Sequence, residues 1–460
     1  MIKPACNPGS RVRYRANIKL SKEQDQELNS SLSPIFEDTA LHGALTASRN
    51  DVRVVELFAG AGGMGVGFLM ANDKTKGFRI INSAEINPIF LKSLETNYKC
   101  FYNSSNNRIE DSIPSDFIPI DLTKKHDFQL VHEAVKKADG VDIVIGGTPC
   151  QGFSQSNRSN WDAKNTYNQL VEYFIECSLE LAPKAILLEN VQGILWTPRS
   201  HKSKNKRKLT VVDYIARKFT DAGYVLFPAV LDAAWYGVPQ HRNRFFLLAL
   251  HQDLGYTSDH FGEWGAFPLP THGAMGKYNY VTVKEAISDL PVVDNGEHRV
   301  IQEYDEPTQE QLSSNPFLQQ MRQMATLGTI EGHIISKQAD YVIDRYRHIP
   351  AGGNWQNIRH MMTNYSDIEN THSNIYKRLK WDEPSITIGN YRKSMIIHPE
   401  QNRGLSLREA SRLQSLPDWF SFCGNTDNSK TLGIMHKQQQ LANTVSFLLT
   451  LQIAQYILKL

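Results

Sequence analysis

Residues 52–65 read VRVVELFAGAGGMG, and this stretch decides the class of fold that the sequence predicts. Its first half, Val52–Phe58, is an apolar, β-branched run typical of a buried strand. Gly60–Gly65 then satisfies the pattern G-x-G-x-x-G, and Val66–Met70 begins a helix. Glycines at this point let the backbone turn sharply and approach a bound nucleotide closely. The pattern alone serves several classes of nucleotide-binding enzyme, so it predicts a fold before it predicts a reaction.

Strands and helices alternate over the next two hundred residues. The further predicted strands are Arg79–Ser83, Val141–Ile145, Ala185–Leu188 and Arg244–Ala249, and the clearest helices are Tyr167–Leu181 and Val211–Ala222. Such an alternation is typical of an α/β fold in which helices cover both faces of a parallel sheet.

The alternation loosens beyond about Tyr256, where Gly, Pro, Asn, His and aromatic residues become frequent. Helices return at Ser406–Leu416 and Gln438–Leu458, the last of them predicted to be continuous. We therefore predict four parts: an N-terminal extension (1–50), a main domain (51–254), a smaller domain (255–428) and a C-terminal helix that returns to the main domain (429–460).

The composition is that of an ordinary globular protein. The 460 residues are 41% hydrophobic and 21% charged, and a net charge of +2 neither demands nor excludes a polyanionic partner. No apolar run approaches the roughly 18 residues of a membrane span, and Met1–Asn17 lacks the apolar core of a signal peptide. The five cysteines fit neither a disulfide framework nor a paired metal site. We expect an intracellular protein without a metal centre or a membrane partner.

Two acidic residues follow predicted strands on the nucleotide side of the fold. Glu85 ends the second strand, where a carboxylate can accept hydrogen bonds from ribose hydroxyls. Asp121, in the segment IPIDLT, is a candidate for facing an adenine amino group. Either residue could instead be a surface acid, because a tight turn between a strand and a helix needs no ligand.

The segment GGTPCQGFSQSN, residues 146–157, carries a candidate nucleophile. Cys150 comes just after a predicted buried strand, and the carboxyl ends of strands are where open α/β sheets place reactive groups. An isolated thiol has a pKa of about 8.5, so it needs neighbouring N–H groups or cations to become a ready thiolate. An arbitrary cysteine would more often be a small buried apolar residue, but this setting favours a chemical role.

The chain resembles the DNA (cytosine-5) methyltransferase family over residues 51–250 and 370–450. The matching motifs occur in the family's order. They are ELFAGAGGMG (56–65), AEINP (84–88), the Pro-Cys motif (146–154), Glu-Asn-Val (189–191), Gln-x-Arg-x-Arg (240–244) and LSLREASRLQSLPD (405–418). The last motif, usually Gly-Asn-Ala-Val, is here Ala442-Asn443-Thr444-Val445. That departure bears on cofactor affinity.

The resemblance implies a Rossmann-like methyltransferase fold with a mostly parallel sheet, and S-adenosylmethionine as the cofactor. It makes 51–254 the catalytic, cofactor-binding domain and 255–428 a target-recognition domain, with landmarks at Ile349–Trp355 and Tyr376–Trp381. The residues that would bind the cofactor are Phe58, Gly60, Gly62, Gly63, Glu85, Ile86, Asp121, Pro149, Asn443 and Val445.

The resemblance also implies how the reaction proceeds. Attack by the Cys150 thiolate on carbon 6 of cytosine makes carbon 5 nucleophilic enough to accept a methyl group. Glu189 would share a proton with ring nitrogen 3, which requires a raised pKa that burial can supply. Arg244, and with it Arg242, would stabilise the ring oxygen electrostatically.

Because the target atom is stacked inside double-stranded DNA, the base must be flipped out of the duplex. The polar segment after Cys150 is suited to close over it, and we predict DNA contacts from Gln151, Ser154, Arg158 and Lys164. By resemblance we expect a monomer on DNA, in the cytoplasm or associated with the nucleoid of a bacterium, with cognate restriction or phage-defence proteins as partners.

Three other functions stay open on the sequence. A branch of the same fold methylates cytosine in transfer RNA, but the Cys-Phe-Thr stretch typical of that branch is absent from this sequence. A non-enzymatic nucleic-acid-binding module is disfavoured because Cys150, Glu189 and the glycine turn are all present. A nicotinamide oxidoreductase would rest on the glycine pattern alone.

Overall fold

The computed structural model describes residues 51–71, 76–104, 112–149, 166–195, 211–261, 264–364, 374–389, 391–424 and 430–460. Within these segments, six strands form the main sheet and two short strands form a separate pair. The strands are β1 (Val52–Leu57), β2 (Phe78–Ala84), β3 (Ile143–Gly147), β4 (Ala185–Val191), β5 (Tyr224–Asp232), β6 (Asn243–His251), β7 (Ile301–Glu303) and β8 (Thr329–Glu331).

The main sheet has the strand order β2-β1-β3-β4-β6-β5. β2, β1, β3 and β4 are parallel to one another, whereas β6 runs antiparallel to both of its neighbours. The predicted α/β fold with a mostly parallel sheet is therefore confirmed. The strand order reverses beside β1, between β2 and β3, and such a switch point is where open α/β sheets bind ligands, at the carboxyl ends of the strands.

Helices connect and surround the strands. They are α1 (Gly63–Met70), α2 (Pro88–Ser104), α3 (Lys125–Lys137), α4 (Thr166–Leu181), α5 (Val211–Asp221), α6 (Val283–Ile287), α7 (Gln309–Ser314), α8 (Pro316–Arg322), α9 (Asp340–Arg347), α10 (Tyr391–Ser394), α11 (Leu407–Leu413), α12 (Lys430–Asn443) and α13 (Phe447–Ile457). No helix in the described segments combines the length and apolarity needed to cross a bilayer.

Alternate side chains of the strands enter two different cores. Val55, Ile186 and Leu188 pack with apolar residues of α3, α4 and α5 on one face. Val54 and Leu187 pack on the other face, with residues of α1, α2 and α13. This period of two in the strands is what buries both faces of the sheet.

One sequence prediction needs correction, and one strand was not predicted. The stretch Gln438–Leu458 is not one continuous helix, because α12 ends at Asn443 and α13 begins at Phe447. The carbonyl groups at the break are bound by distant side chains, described below. The strand β5 was not predicted. It lies at the edge of the sheet, and an edge strand tolerates Pro228 because the backbone on its outer side has no neighbouring strand to hydrogen-bond with.

The smaller part of the chain contains short helices and a core of its own. Val342, Tyr346, Ile349, Trp355, Ile358, Met362, Tyr376 and Ile397 form this third core, all of them buried. Both sequence landmarks of the predicted recognition region, 349–355 and 376–381, contribute to it.

Candidate active site

A cavity of about 560 Å³ opens at the carboxyl edge of the sheet, at the switch point beside β1. Its wall contains residues from the ends of β1, β2, β3 and β4 and from the break between α12 and α13. The predicted site residues that line it are Phe58, Gly60, Gly63, Glu85, Ile86, Asp121, Pro149, Glu189, Arg242, Arg244, Asn443 and Val445. Folding thus brings together residues separated by almost four hundred positions.

The turn between β1 and α1 has the left-handed backbone conformation that its glycines predict. Gly60 and Gly62 adopt φ angles of 59° and 86°, in the left-handed region that favours glycine, and Gly62 is the N-cap of α1. Phe58 also has a positive φ, 56°, which is unusual for a bulky aromatic residue and is found where a site imposes strain. A side chain at Gly60 would meet no atom within 4 Å.

Glu85 joins this turn to the end of β2. Its carboxylate accepts hydrogen bonds from the backbone N–H groups of Gly60 and Asn87, both at 2.8 Å. Burial raises the pKa of Glu85, although these hydrogen bonds oppose the shift. A carboxylate offers about four acceptor positions, so capacity for ligand hydroxyls remains beside the two backbone donors. Neighbouring Ile86 is 56% exposed and adds an apolar contact to the same wall.

Asp121 is held by the start of the next helical segment. Its carboxylate accepts hydrogen bonds from the backbone N–H and the hydroxyl of Thr123, at 3.0 and 2.7 Å. Burial acts to raise the pKa of Asp121, but these hydrogen bonds and the charge of Lys124 outweigh it and lower the pKa. The residue therefore lines the cavity as a carboxylate fixed in direction.

Glu189 and Arg244 form an ion pair in the cavity wall, with 3.1 Å between Glu189 Oε1 and Arg244 Nε. Glu189 lies near the carboxyl end of β4 and is 7% exposed. Arg244 lies near the beginning of β6, opposite Val191 in the antiparallel ladder. Burial raises the pKa of Glu189, against the opposing charges of Arg244 and Arg242. A raised pKa is the direction that a proton donor at this position requires.

Asn190, the residue after Glu189, makes structural contacts that the sequence did not predict. The side-chain amide of Asn190 donates to the hydroxyl and to the carbonyl of Thr148, at 2.8 and 3.3 Å. Thr148 and Pro149 both line the cavity directly before Cys150. The Glu-Asn-Val motif therefore fixes the end of β3 as well as supplying a carboxyl group. Cys150 itself and the predicted DNA contacts Gln151, Ser154, Arg158 and Lys164 lie outside the described residues.

Arg242 is almost completely buried, with 1% of its surface exposed. Its guanidinium donates to the backbone carbonyls of Ile388, Ala442 and Thr444, at 2.8, 2.9 and 3.3 Å. The side-chain amide of Gln414 donates to the carbonyls of Leu441 and Thr444. These donors satisfy the carbonyl groups that the end of a helix leaves open, and so they explain the break between α12 and α13.

Comparison with known proteins agrees with this arrangement. The family described as C-5 cytosine-specific DNA methylase matches residues 52–459. The chain is 29% identical over 415 residues to the Type II methyltransferase M.DdeI of Desulfomicrobium norvegicum, covering 88% of each chain. It is 29% identical over 409 residues to the Type II methyltransferase M1.HphI of Haemophilus parahaemolyticus, covering 88% of this chain and 86% of that one.

The fold is also similar to that of solved structures. One is described as a DNA modification methyltransferase encoded within a prophage of E. coli; it superimposes with a TM-score of 0.62 at 21% identity, covering 89% of this chain and 99% of that one. Another is the Entamoeba histolytica methyltransferase EhMeth, with a TM-score of 0.52 at 12% identity and the same shares of each chain. At these identities the structural likeness concerns the fold alone.

Proposed function

The chain belongs to the C-5 cytosine-specific DNA methylase family and is a DNA cytosine-5 methyltransferase, and from this premise we propose how its residues carry out the reaction. In the proposal, Cys150 adds to carbon 6 of a flipped cytosine, and carbon 5 then takes a methyl group from S-adenosylmethionine. The observation that carries it is the shared cavity. The buried ion pair Glu189–Arg244, the glycine turn and Pro149 all line one cavity of about 560 Å³.

The residues present fit the proposed cofactor. The space above Gly60 is open, the carboxylate of Glu85 is oriented by two backbone N–H groups, and Phe58 and Ile86 supply apolar surface. We propose that these residues hold the cofactor together with Gly62, Gly63, Asp121, Pro149, Asn443 and Val445. When bound, S-adenosylmethionine supplies an electrophilic methyl group on a sulfonium.

The chemistry of cytosine explains the need for both Cys150 and Glu189. Carbon 5 is a weak nucleophile, and covalent addition divides one difficult step into two easier ones. The bond from Cys150 Sγ to carbon 6 forms while the ring's electron pair moves toward carbon 5, and nitrogen 3 takes a proton from Glu189. Carbon 5 uses that pair to bond the methyl group. Solvent water then takes the carbon 5 proton, and the electron pair of that C–H bond restores the double bond between carbons 5 and 6 as the Cys150 thiolate leaves. Nitrogen 3 returns its proton to Glu189, which restores both the ring and the acid.

The two arginines of the Gln-x-Arg-x-Arg motif receive different roles. Arg244 pairs with Glu189 and has its Nη1 directed to the nearby carbonyl of Asn243, close to the cavity surface. We therefore assign to Arg244 the electrostatic stabilisation of the ring oxygen. The guanidinium of Arg242 binds three backbone carbonyls, and we assign to it a positioning role in place of direct contact with the base.

The wider biological setting is part of the same proposal. The substrate is double-stranded DNA, contacted through Gln151, Ser154, Arg158 and Lys164, and 255–428 is the target-recognition domain beside a catalytic domain at 51–254. The two relatives named above are Type II methyltransferases, which supports cognate restriction proteins as partners. We place the enzyme in the cytoplasm, as a monomer on DNA.

Covalent trapping tests the mechanism. Bisulfite sequencing of DNA from cells that express the protein first identifies the target sequence. A duplex with 5-fluorocytosine at that target should then form a cofactor-dependent covalent complex, because fluorine cannot leave as a proton does. Cys150→Ser should form none, whereas Cys177→Ser, a change at a buried cysteine in α4, should still form it. Absence of the complex with the parent protein would refute the proposal. So would a methyl-transfer assay in which the labelled methyl group enters transfer RNA but not duplex DNA.

A further inference from the structure

Gln240 and Arg242 bind both backbone polar groups of one residue, Ile388, in the smaller part of the chain. The backbone N–H of Ile388 donates to Gln240 Oε1 at 2.9 Å, and Arg242 Nη1 donates to the carbonyl of Ile388 at 2.8 Å. Neither Gln240 nor Arg242 is more than 1% exposed, and Ile388 is fully buried. Leaving a buried carbonyl or N–H without a partner is costly, so the position of Ile388 follows the position of these two side chains.

The same guanidinium reaches the wall of the cofactor cavity. Arg242 Nη2 donates to the carbonyls of Ala442 and Thr444, and Ala442, Asn443, Thr444 and Val445 all line the cavity. A guanidinium is planar and rigid, so its two ends cannot move independently. The peptide of Ile388 and the break between α12 and α13 are therefore held at a fixed separation by one side chain.

Ile388 ends a segment that begins in the third core. Tyr376 is buried in that core, and Arg378 donates to the carbonyls of Ile349 and Tyr346 within the predicted recognition region. Thr387 then donates its hydroxyl to the carbonyl of His241, beside Arg242. The segment 376–388 thus forms a hydrogen-bonded connection from the proposed recognition domain to Arg242.

We propose that Arg242, supported by Gln240, is a positioning residue that couples the cofactor wall at 442–445 to the target-recognition segment 376–388. This inference rests on the proposed function, since it takes the cavity as the cofactor site and the smaller domain as the DNA reader. A ligand that fixes the helix break biases the position of Ile388, and DNA that fixes the segment biases the break. Such coupling is reciprocal, because each ligand changes the affinity of the other by the same factor.

Binding measurements test the coupling directly. The dissociation constant of a duplex carrying the target is measured with and without saturating S-adenosylhomocysteine. We expect the parent protein to bind the duplex more tightly in its presence, by on the order of tenfold. Arg242→Lys keeps the charge but cannot span both sets of carbonyls, and the ratio of the two constants should fall toward one. Gln240→Met, which loses the contact to Ile388 N–H, should reduce the ratio in the same direction.

Arg408→Lys is the matched control. Arg408 is 3% exposed and also donates to three backbone carbonyls, those of Glu331, Pro417 and Phe420, but it does not line the cavity. Its variant should keep the parent's ratio even where it loses stability. A ratio of one in the parent, or an unchanged ratio in both Arg242→Lys and Gln240→Met, would overturn the coupling. These outcomes can be told apart from a failure of the proposed function. In that case the parent protein would form no covalent complex with DNA that contains 5-fluorocytosine.

Discussion

Gly63 packs directly against Thr444: a Cβ built on Gly63 would lie 2.2 Å from Thr444 Cγ2 and 3.2 Å from the carbonyl oxygen of Val445. Thr444 cannot easily turn away, because its hydroxyl donates to the carbonyl of Gln440 at 2.7 Å. The first residue of α1 and the break between the last two helices therefore form one continuous wall of the cavity. The departure from the family's usual Gly-Asn-Ala-Val motif falls on this contact.

The first prediction concerns that wall. Gly63→Ala should force Thr444 and the cavity wall around it to shift, because overpacking of a tight contact typically costs about 1–3 kcal/mol in such rearrangements. Since this wall lines the cavity, we expect S-adenosylhomocysteine to bind about tenfold more weakly or worse. Thr444→Ser removes the obstructing methyl group and keeps the hydroxyl, so Gly63→Ala/Thr444→Ser should recover most of the loss. Titration calorimetry measures all three proteins and the parent. Equal affinities of Gly63→Ala and the parent would show that the contact relaxes without consequence.

The second prediction follows from the raised pKa of Glu189, whose first cause is burial. If the carboxyl group donates a proton, it acts in its protonated form, and the rate of methyl transfer should fall as the pH rises through that raised pKa. Glu189→Gln should lower the single-turnover rate by about 10²–10⁴-fold, the usual contribution of a positioned acid. It should also abolish this limb of the pH profile. If the fall in rate with rising pH persisted in Glu189→Gln, the titrating group would be a residue other than Glu189.

The third prediction uses the partner of Glu189. The positive charge of Arg244 lowers the pKa of Glu189 against the effect of burial. Arg244→Met removes this charge, so the pKa should rise further and the alkaline limb should move to higher pH, on top of a reduced rate. Arg244→Lys keeps a charge and should leave the limb closer to its parent position. Single-turnover rates across pH separate the two variants, and identical limbs in both would contradict the electrostatic argument.

The fourth prediction concerns Glu56, a fully buried carboxyl group on β1. It accepts hydrogen bonds from the N–H of Gly65 and the hydroxyls of Ser83 and Tyr98, yet burial raises its pKa from 4.5 to about 7. The folded state therefore holds a proton that the unfolded chain releases above about pH 4.5. The resulting stability is complete below that pH and is lost as the pH rises to about 7.

Glu56→Gln should not lose this contribution. Relative to the variant, the parent should lose on the order of 3 kcal/mol of unfolding free energy between pH 4.5 and 8, since each pKa unit corresponds to about 1.4 kcal/mol. Urea unfolding of the cofactor-free proteins at several pH values measures the difference. Glu180→Gln, at a side chain that is 57% exposed, serves as the control and should follow the parent.

The fifth prediction concerns a buried cluster of charges formed by Asp418, Arg412 and Arg322. Asp418 is fully enclosed and accepts hydrogen bonds from Arg412 and Arg322, at 2.7–3.2 Å. Asp418→Asn removes a negative charge that pairs with the buried guanidinium groups of Arg412 and Arg322. It should lower the unfolding free energy by about 3 kcal/mol or more. Asp221→Asn, at a side chain that is 71% exposed, should change it by less than about 0.5 kcal/mol. Urea midpoints of both variants provide the comparison.

Local signals explain what the sequence predicted correctly. The strand β1, the glycine turn and the position of Glu85 depend on residues next to one another, so the apolar run and the glycine spacing were sufficient. The strand β4 carries a continuous buried run before Glu189, which is the pattern of a strand covered on both faces.

Long-range contacts explain the errors. The break after Asn443 depends on Arg242 and Gln414, which are 200 and about 30 positions away, so the helical pattern of 438–458 gave no sign of it. The edge strand β5 was missed because Pro228 and its mixed burial obscure the strand pattern. The positioning roles of Asn190 and Gln240 depend on partners at Thr148 and Ile388, and neither partner is marked in the sequence.

The reversed direction of β6 makes the chemistry of the cavity depend on the alignment of one pair of strands. Because β6 starts where β4 finishes, Arg244 stands opposite Val191 and on the same face as Glu189. A slip of one residue between these strands would turn Arg244 to the other face and leave Glu189 buried without its cation. Insertions or deletions within the seven residue pairs that join β4 and β6 would thus be far more damaging to the enzyme than changes of similar length in the connecting loops.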